Sequence, residues 1–386
     1  MPDNIKSKVL LIENSGADFY NSRLKLALYL QDVGYVVSAL VPNDGYVNLI
    51  EKSGLRVFHY EMKRSNKGIF QTIRLIRIYR DIIKKEKFDL IHSFRFQPNF
   101  ITSFASLLLP PKIVLHVTGL GIAYANRSLK YMILRSLSQS LYFFKFLVCD
   151  LIIVQNPDDI KSLWFTRFNP KKVKLVLGSG IDLELFKPEA ETRKLVRKLH
   201  GLLSDELLFI CVTRLLWEKG IKELTEAFLG LQKENPKIKL FIVGWSDEDN
   251  PRHIPYDFIN LFKNNSNILF TGKQKDIQNL LSAADVFIYP SYYREGIPRG
   301  ILEALAIGLP IITTNTPGCN ITVKEGINGY LIKPRSVKAI GDAVKLVVKD
   351  SQKLEMMGLN SRRMAESSFK DTIVYEQIKQ LYKQQF

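Results

Sequence analysis

Apolar residues along this chain fall into short runs separated by longer stretches in which they recur every three or four positions. In the first half, the runs Lys8–Ile12, Tyr35–Pro42, Arg56–Tyr60, Leu90–Phe94, Lys112–Thr118, Asp150–Gln155 and Val173–Leu177 read as strands. Helix-spaced segments lie between them near 21–33, 46–53, 69–86, 98–109, 127–147 and 157–168. Regular β-α alternation of this kind predicts a doubly wound parallel sheet. After Lys187-Pro188 a charged segment runs to about Asp205 and reads as a linker. A second β-α series follows, with strands at Leu207–Thr213, Leu240–Gly244, Ile268–Thr271, Asp285–Tyr289, Pro310–Thr314 and Gly329–Ile332. The expected class is α/β: two Rossmann-like doubly wound domains facing a cleft, with ligand at the carboxyl ends of the strands. The expected bounds are 1–185, a linker over 186–205, 206–368, and a last helix from 369 onward.

One stretch of the second series, Ala284–Gly318, carries more than a packing pattern. The run Asp285–Tyr289 is closed by Pro290, the loop SYYREGIP delivers Glu295, and Arg299–Ile307 has the apolar spacing of one helix face. Gly308 and Pro310 stop that helix before the next buried run. Gly296, Ile297 and, beyond Pro298, Arg299 and Gly300 bring backbone N–H groups to a helix N-terminus, where an anion such as a phosphate is favoured. Glu295 and Glu303, with seven residues between them, supply acceptors for hydroxyls on either side of that anion. An anion flanked by hydroxylated rings is a nucleotide sugar. A solvated loop acid and an ordinary helix-face acid are the alternative, and the Gly-Ile-Pro turn between the two argues against it.

The segment E-G-I-P-R-G-I-L-E-A-L-A-I-G-L-P resembles the E-x7-E signature of the retaining family-4 glycosyltransferases, which have the GT-B fold. The match extends through Thr314–Gly318 and the turn from Glu325 to Gly329. VTRLLWEKG, VGWSDEDNP and HVTGLG are similar to the bacterial subgroup that adds N-acetylgalactosamine or a related hexose to undecaprenyl-diphosphate-linked sugars, in O-antigen, capsule or N-glycan assembly. The resemblance implies a UDP-sugar donor, no bound cofactor, and a polyprenyl-diphosphate-linked glycan acceptor. It implies that Arg214 and Lys219 neutralise the departing diphosphate, that Glu295 orients the donor sugar, and that Glu303 binds the nucleotide ribose. It also places Gly272 and Lys273 beside the base, and implies that the last helix crosses back to the first domain.

In the first half, Gly16 after the first strand lets a backbone approach donor phosphate or acceptor, or is simply a turn. Arg23 opens the following helix, as in related enzymes. Thr118 and Gly119 resemble the T-G-L-G loop of the lipid-linked subgroup, and the segments around His92 and Asn99 resemble its acceptor side. Many family members carry a histidine where Thr118 stands; His116, two residues earlier, is either a core histidine or a site residue.

Composition narrows the rest. At 386 residues with 46% hydrophobic and 24% charged positions, the chain is globular and long enough for two domains. Cys149, Cys211 and Cys319 form no C-x-x-C pair, which fits a reducing compartment. No signal-peptide core or 18-residue apolar span is visible, so a cytoplasmic location is expected. The five histidines lack ligand spacing, and Asp247-Glu248-Asp249 reads as a solvated loop; no metal is expected.

The net charge of +17 is lopsided: residues 1–180 hold 26 Lys and Arg against 13 Asp and Glu. A basic half points to nucleic acid, anionic lipid or polyanionic glycan. Within it Lys63–Lys87 reads as a basic amphipathic helix with Ile69, Phe70, Ile73, Ile76, Ile82 and Ile83 on one face. That face either packs on the sheet or lies on an anionic membrane, and the lysines and arginines can meet lipid headgroups in both cases. The Arg127–Phe146 segment offers Tyr142, Phe143, Phe144 and Phe146 as an aromatic membrane contact. The expectation is a peripheral protein at the cytoplasmic face of the inner membrane, with no nucleic-acid partner. Two other readings stay open: a non-hydrolysing UDP-sugar epimerase, and a non-enzymatic polyanion-binding protein.

Overall fold

The computed structural model describes residues 7–61, 68–124 and 128–386; Lys63, Arg64, Lys67 and Arg127 of the basic and aromatic segments lie outside them. The chain forms two compact units, residues 1–179 with 372–386, and residues 180–371.

The first unit is built on seven parallel strands: β1 (Lys8–Ile12), β2 (Val36–Pro42), β3 (Arg56–Tyr60), β4 (Leu90–Phe94), β5 (Lys112–Val117), β6 (Leu151–Val154) and β7 (Val173–Leu175). Their order in space is β3-β2-β1-β4-β5-β6-β7. The inner strands are continuous apolar runs because both faces of the sheet are covered; Val9 to Ile12 are all fully buried. The covering helices are α1 (Gly16–Ser22), α2 (Leu24–Asp32), α3 (Val47–Lys52), α4 (Ile69–Glu86), α5 (Phe96–Ala105), α6 (Leu129–Val148) and α7 (Pro157–Ser162). The helix expected near 21–33 is α2, and a further short helix, α1, precedes it. The break falls at Arg23, whose φ of −123° leaves the helical region and whose side chain is buried beside Glu13.

One expectation about this unit's surface is divided between its alternatives and one is corrected. The buried face of α4 is Leu75, Tyr79 and Ile83, whereas Ile69, Phe70 and Ile73 are exposed. Tyr79 reaches the sheet side because it sits one turn from both Leu75 and Ile83. In α6, Tyr142 and Phe146 are buried, Phe143 stacks on Trp164 and Phe144 on Phe104. Tyr142 and Phe146 are therefore core, and Phe143 and Phe144 are half-buried against other rings. The exposed apolar side chains of α6 are Leu129, Met132, Ile133, Leu134 and Leu137 in its first half, and Leu147 near its end.

The second unit has six parallel strands: β8 (Leu207–Val212), β9 (Ile238–Val243), β10 (Ile268–Gly272), β11 (Val286–Tyr289), β12 (Ile311–Thr314) and β13 (Gly329–Ile332). Their order is β10-β9-β8-β11-β12-β13. Its helices are α8 (Ala190–Leu199), α9 (Ile221–Glu234), α10 (Tyr256–Asn260), α11 (Ile277–Ala283), α12 (Arg299–Ile307), α13 (Val337–Val348) and α14 (Ser351–Met364). The segment expected as a linker is α8, a folded part of this unit packed against α11. Arg193 and Arg197 anchor it on Asp285, with N–O separations of 2.5 and 3.1 Å. Asp285 also accepts from Leu208 N at 2.7 Å. Its charged composition thus marks a partly buried ion-pair triad and not a tether. The last helix, α15 (Asp371–Lys383), contributes Val374, Tyr375, Ile378, Leu381 and Tyr382 to the core of the first unit. Among the described residues no helix is long and apolar enough to cross a membrane.

Candidate active site

In the second unit the strand order reverses between β8 and β11, and open α/β sheets bind ligands in the crevice at such a switch point. The chain leaving β8 passes Thr213 and the exposed Arg214, then a short turn, Trp217–Lys219, that delivers Lys219 to the foot of α9. Gly220 caps the turn at φ 74°, and a Cβ there would lie 2.3 Å from the Pro290 carbonyl oxygen. The Lys219 turn is therefore pressed against the end of β11.

That closeness brings the two charges together. Lys219 Nζ, 5% exposed, donates to Glu295 Oε1 at 2.6 Å and to the Tyr289 hydroxyl at 3.0 Å. Tyr289 Oη and Ser291 Oγ donate to the same Oε1 at 2.9 and 3.0 Å. Three donors converge on one carboxylate oxygen. The loop bearing Glu295 is itself held from behind. Thr314 Oγ1 donates to the Ser291 carbonyl, and Gly318, at φ 86°, lies so near that a Cβ would stand 1.7 Å from the Gly296 oxygen. This contact explains why the motif continues through Thr314–Gly318.

Beyond Gly296 and Ile297, Pro298 precedes α12 with no side chain capping the helix. Its first-turn N–H groups form the anion-favouring end anticipated from the sequence. Glu303 lies one turn in, 8% exposed, and accepts from Arg299 Nε at 2.8 Å. Burial pushes its carboxyl above the ordinary glutamate range, and Arg299 opposes that shift. The Arg214 guanidinium has no hydrogen-bond or ion-pair partner among the described residues and remains available to a phosphate. At the end of β10, Gly272 has φ 70° with open space beyond it, and Lys273 lies 5.1 Å over the Trp245 ring.

The first-unit candidates divide differently. The Gly16 amide donates to Asp44 Oδ2 at 2.8 Å, and a Cβ at Gly16 would be 2.3 Å from Oδ1. The space that glycine leaves is filled by a carboxylate, which disfavours phosphate there. Asn99 is fully buried, bridging the His116 carbonyl at 2.9 Å and Ser93 Oγ at 2.7 Å, so it ties β4 to β5. His116 is buried with Nδ1 3.2 Å from His92 and Nε2 3.2 Å from Gln155. Burial holds both histidines well below their ordinary range, hence neutral. His92 continues the chain to Tyr382 at 2.6 Å. These contacts make His116 part of a buried polar chain. Thr118 and Gly119 are partly exposed at the end of β5.

Sequence reasoning missed Tyr289 and Ser291, whose signal was two hydroxyls flanking the proline that ends a buried strand. It also missed Arg95, which pairs with Glu13 and Asp18 at 3.1 and 2.9 Å. Among the described residues no group of three or more His, Cys, Asp or Glu is placed to hold a metal.

Comparison with known proteins places this geometry. The family profile for glycosyl transferases group 1 matches residues 192–364, and that for glycosyl transferase 4-like proteins matches residues 8–156. The chain is 30% identical over 360 residues to the UDP-Gal:alpha-D-GlcNAc-diphosphoundecaprenol alpha-1,3-galactosyltransferase of Escherichia coli, covering 89% of this chain and 90% of that one. It is 26% identical over 375 residues to the N,N'-diacetylbacillosaminyl-diphospho-undecaprenol alpha-1,3-N-acetylgalactosaminyltransferase of Campylobacter jejuni, covering 96% and 95%. Among solved structures, Anabaena HepE in complex with UDP and glucose superposes with a TM-score of 0.78 at 19% identity, over 98% of this chain and 99% of that one. Two Rossmann-like units, a Lys219–Glu295 pair at a strand switch point and these relatives lead to one assignment: the chain is a glycosyltransferase of group 1, with the GT-B fold.

Proposed function

We propose that this enzyme transfers a hexose or N-acetylhexosamine, N-acetylgalactosamine before others, from a UDP-sugar to a polyprenyl-diphosphate-linked glycan, with retention at the anomeric carbon. The observation that carries the reading is the Lys219–Glu295 pair beside the uncapped start of α12, with Glu303 one turn inside. The diphosphate sits against the amides from Gly296 to Gly300, and Lys219 and Arg214 neutralise the charge that grows as it leaves. Glu295 receives the donor-sugar hydroxyls, and Glu303 accepts from the ribose. Gly272 and Lys273 lie at the base, and Thr118, Gly119 and Arg23 serve the acceptor. These fixed cations and dipoles make departure independent of a metal ion. Retention follows from attack on the face the leaving group vacates: the acceptor hydroxyl oxygen bonds the anomeric carbon, the bond to phosphate oxygen breaks, and that oxygen takes the proton.

The relatives' names support a lipid-linked acceptor, and the surface of the first unit supports contact with a membrane. α4 and α6 both begin at the carboxyl end of a parallel sheet, and both expose apolar side chains there: Ile69 (72% exposed), Phe70 (84%), Leu129 (73%) and Ile133 (56%). The exposed Arg74, Arg77, Lys84, Lys85 and Lys130 give the same helices their charge. Such a surface suits peripheral binding to anionic lipid at the cytoplasmic face of the inner membrane. It accounts for the basic half without nucleic acid. UDP release from a panel of UDP-sugars, on a short polyprenyl-diphosphate-sugar acceptor, tests the reading. Turnover that needs the acceptor supports it. Interconversion of UDP-sugars with no acceptor present would instead identify an epimerase, and UDP binding unaffected by Glu303→Ala would point to a non-enzymatic polyanion binder.

A further inference from the structure

Glu13 and Arg95 hold, in the first unit, the place that Lys219 and Glu295 hold in the second. Glu13 follows β1 and Arg95 follows β4, the two strands between which the order reverses. Arg95 has φ 74° and ψ 171°, a backbone region in which glycine is at ease and a side chain is strained. Its guanidinium is nonetheless held by two carboxylates, Nε 3.1 Å from Glu13 and Nη2 2.9 Å from Asp18. A strained arginine so firmly aimed calls for a purpose.

The groups around it are incomplete. Glu13 is 1% exposed, yet its Oε2 has no hydrogen-bond partner among the described residues. Arg23 Nε, 5% exposed as a residue and 3.7 Å from that oxygen, has none either, and neither has the buried Oδ1 of Asn14. Two acceptors and one donor thus stand unsatisfied at the end of one strand, where buried polar atoms are ordinarily paired. Arg23 and Arg95 face Glu13 and Asp18, and Asp44 at Gly16 adds a third carboxylate, so the place has no net pull on a phosphate. Adjacent charged donors and acceptors with spare capacity match the hydroxyls of a neutral sugar ring, each of which both donates and accepts.

We propose that Glu13, Arg23 and Arg95 form a sugar-hydroxyl subsite at the β1–β4 switch point, which holds the terminal ring of the acceptor glycan. The assignment rests on the transferase reading for its role, and on the unpaired atoms and the strained Arg95 for its place. Phosphate recognition is left to other groups.

Arg95→Gly, the paired variant Arg95→Gly/Glu13→Gln, and Arg95→Lys test it. Glycine suits the backbone at this position, so Arg95→Gly removes strain and guanidinium together, and the paired variant avoids stranding a buried carboxylate. With the short acceptor that supports turnover in the wild type, acceptor KM should rise about tenfold or more in each, while UDP affinity and donor KM stay within about twofold. Saturation-transfer NMR with free N-acetylgalactosamine and N-acetylglucosamine should give a transfer signal with the wild-type protein and none with the paired variant. Acceptor KM unchanged in variants that unfold at lower temperature would overturn the subsite, leaving an ion-pair network whose spare atoms take ordered water only. Should the wild type show no transfer at all, the functional reading fails, and the NMR experiment alone decides the subsite: a signal that disappears when Arg95 is replaced upholds it, and a signal that is equal in both proteins, or absent from both, removes it.

Discussion

Lys219, only 5% exposed, reaches across the switch point of the second sheet to Glu295, Nζ to Oε1 at 2.6 Å. In the proposed function, the lysine assigned to the diphosphate is thus preorganised by the acid assigned to the sugar. Tyr289 and Ser291, donating to the same oxygen, keep that acid in place. Lys219→Met should lower kcat/KM by about a hundredfold to a thousandfold, the scale of losing one preorganised donor to developing charge. Glu295→Gln should fall similarly. The double variant should lose little more than the worse single one, because residues acting as a unit are not additive. Steady-state kinetics on the three variants decides; full additivity would show two independent groups. Each single change also strands a buried partner, so unfolding temperatures are compared in parallel.

Glu303 gives a pH dependence whose sign can be worked out. Burial raises its folded-state pKa above the ordinary value, with Arg299 opposing. Between the ordinary and the raised value the folded protein holds a proton that the unfolded chain has released, so stability falls as pH rises through that window. Only the ionised carboxylate accepts from both ribose hydroxyls. UDP affinity should therefore increase with pH through the raised pKa. Glu303→Gln should weaken UDP binding by about tenfold, the scale of one charge-assisted hydrogen bond. It should also remove this component of the pH profile, leaving only the titration of UDP itself. Calorimetric titrations of both proteins at acid and neutral pH measure the difference; identical pH profiles would remove Glu303 from the ribose site.

The strands and α12 were legible because their signals are local. Leu90–Phe94 and Arg299–Ile307 fall where the pattern places them, the helix bounded by Pro298 and Gly308. The Glu295 turn was legible through its glycines and prolines. What stayed hidden depended on partners distant in sequence. Nothing in Arg193 and Arg197 announces that Asp285, some ninety positions on, will fold a charged segment onto the sheet as α8. Nothing in Gly16 announces that Asp44 fills its space. The buried face of α4 was only partly legible because isoleucines occur all round it: Ile83 is buried as one reading had it, and packing on the sheet adds Leu75 and Tyr79.

The Asp285 triad carries a stability prediction. Two arginines and the Leu208 amide share one carboxylate, whose side chain is 12% exposed. Asp285→Ala leaves two arginines, one of them nearly buried, without their acid and should cost about 3–5 kcal/mol. Chemical denaturation should show the loss in the transition of the second unit. A change below about 0.5 kcal/mol, the ordinary scale of surface substitutions, would return the segment to a tether.

Lys145 is the converse case, a cation with no acid paired to it among the described residues. It is 1% exposed on α6, with Nζ 3.2 Å from the Phe96 carbonyl and 3.7 Å from the centre of the Phe96 ring. Burial lowers its pKa from 10.5 to about 7. Below about 7 it is charged in both states, and the fold bears the full cost of burying it. From there up to 10.5 the unfolded chain holds the extra proton, so stability contributed by this residue rises with pH. Lys145→Met keeps the stem and removes the charge. It should raise the unfolding temperature more at pH 6 than at pH 9, read by thermal scans in matched buffers. An equal shift at both values would mean that water reaches the ammonium.

The exposed ends of α4 and α6 give the membrane proposal a direct measurement. Phe70 is 84% exposed and Met132 55% exposed, and neither contributes to the core, so Phe70→Glu and Met132→Glu should leave the fold intact. Burying such side chains in a bilayer contributes about 1.5–3 kcal/mol each, and a glutamate adds repulsion from anionic lipid. Binding to phosphatidylglycerol-containing vesicles should drop by about tenfold or more per substitution, while UDP binding should stay unchanged because the proposed UDP site lies in the second unit. Charge reversal of Arg74 and Arg77 should weaken the same binding, with the effect vanishing at high salt as screening sets in. The effect of Phe70→Glu should persist there, because apolar burial does not depend on ionic strength. Vesicle flotation at low and high salt separates the two contributions. Retention of all four variants on vesicles would mean that these helix ends face water.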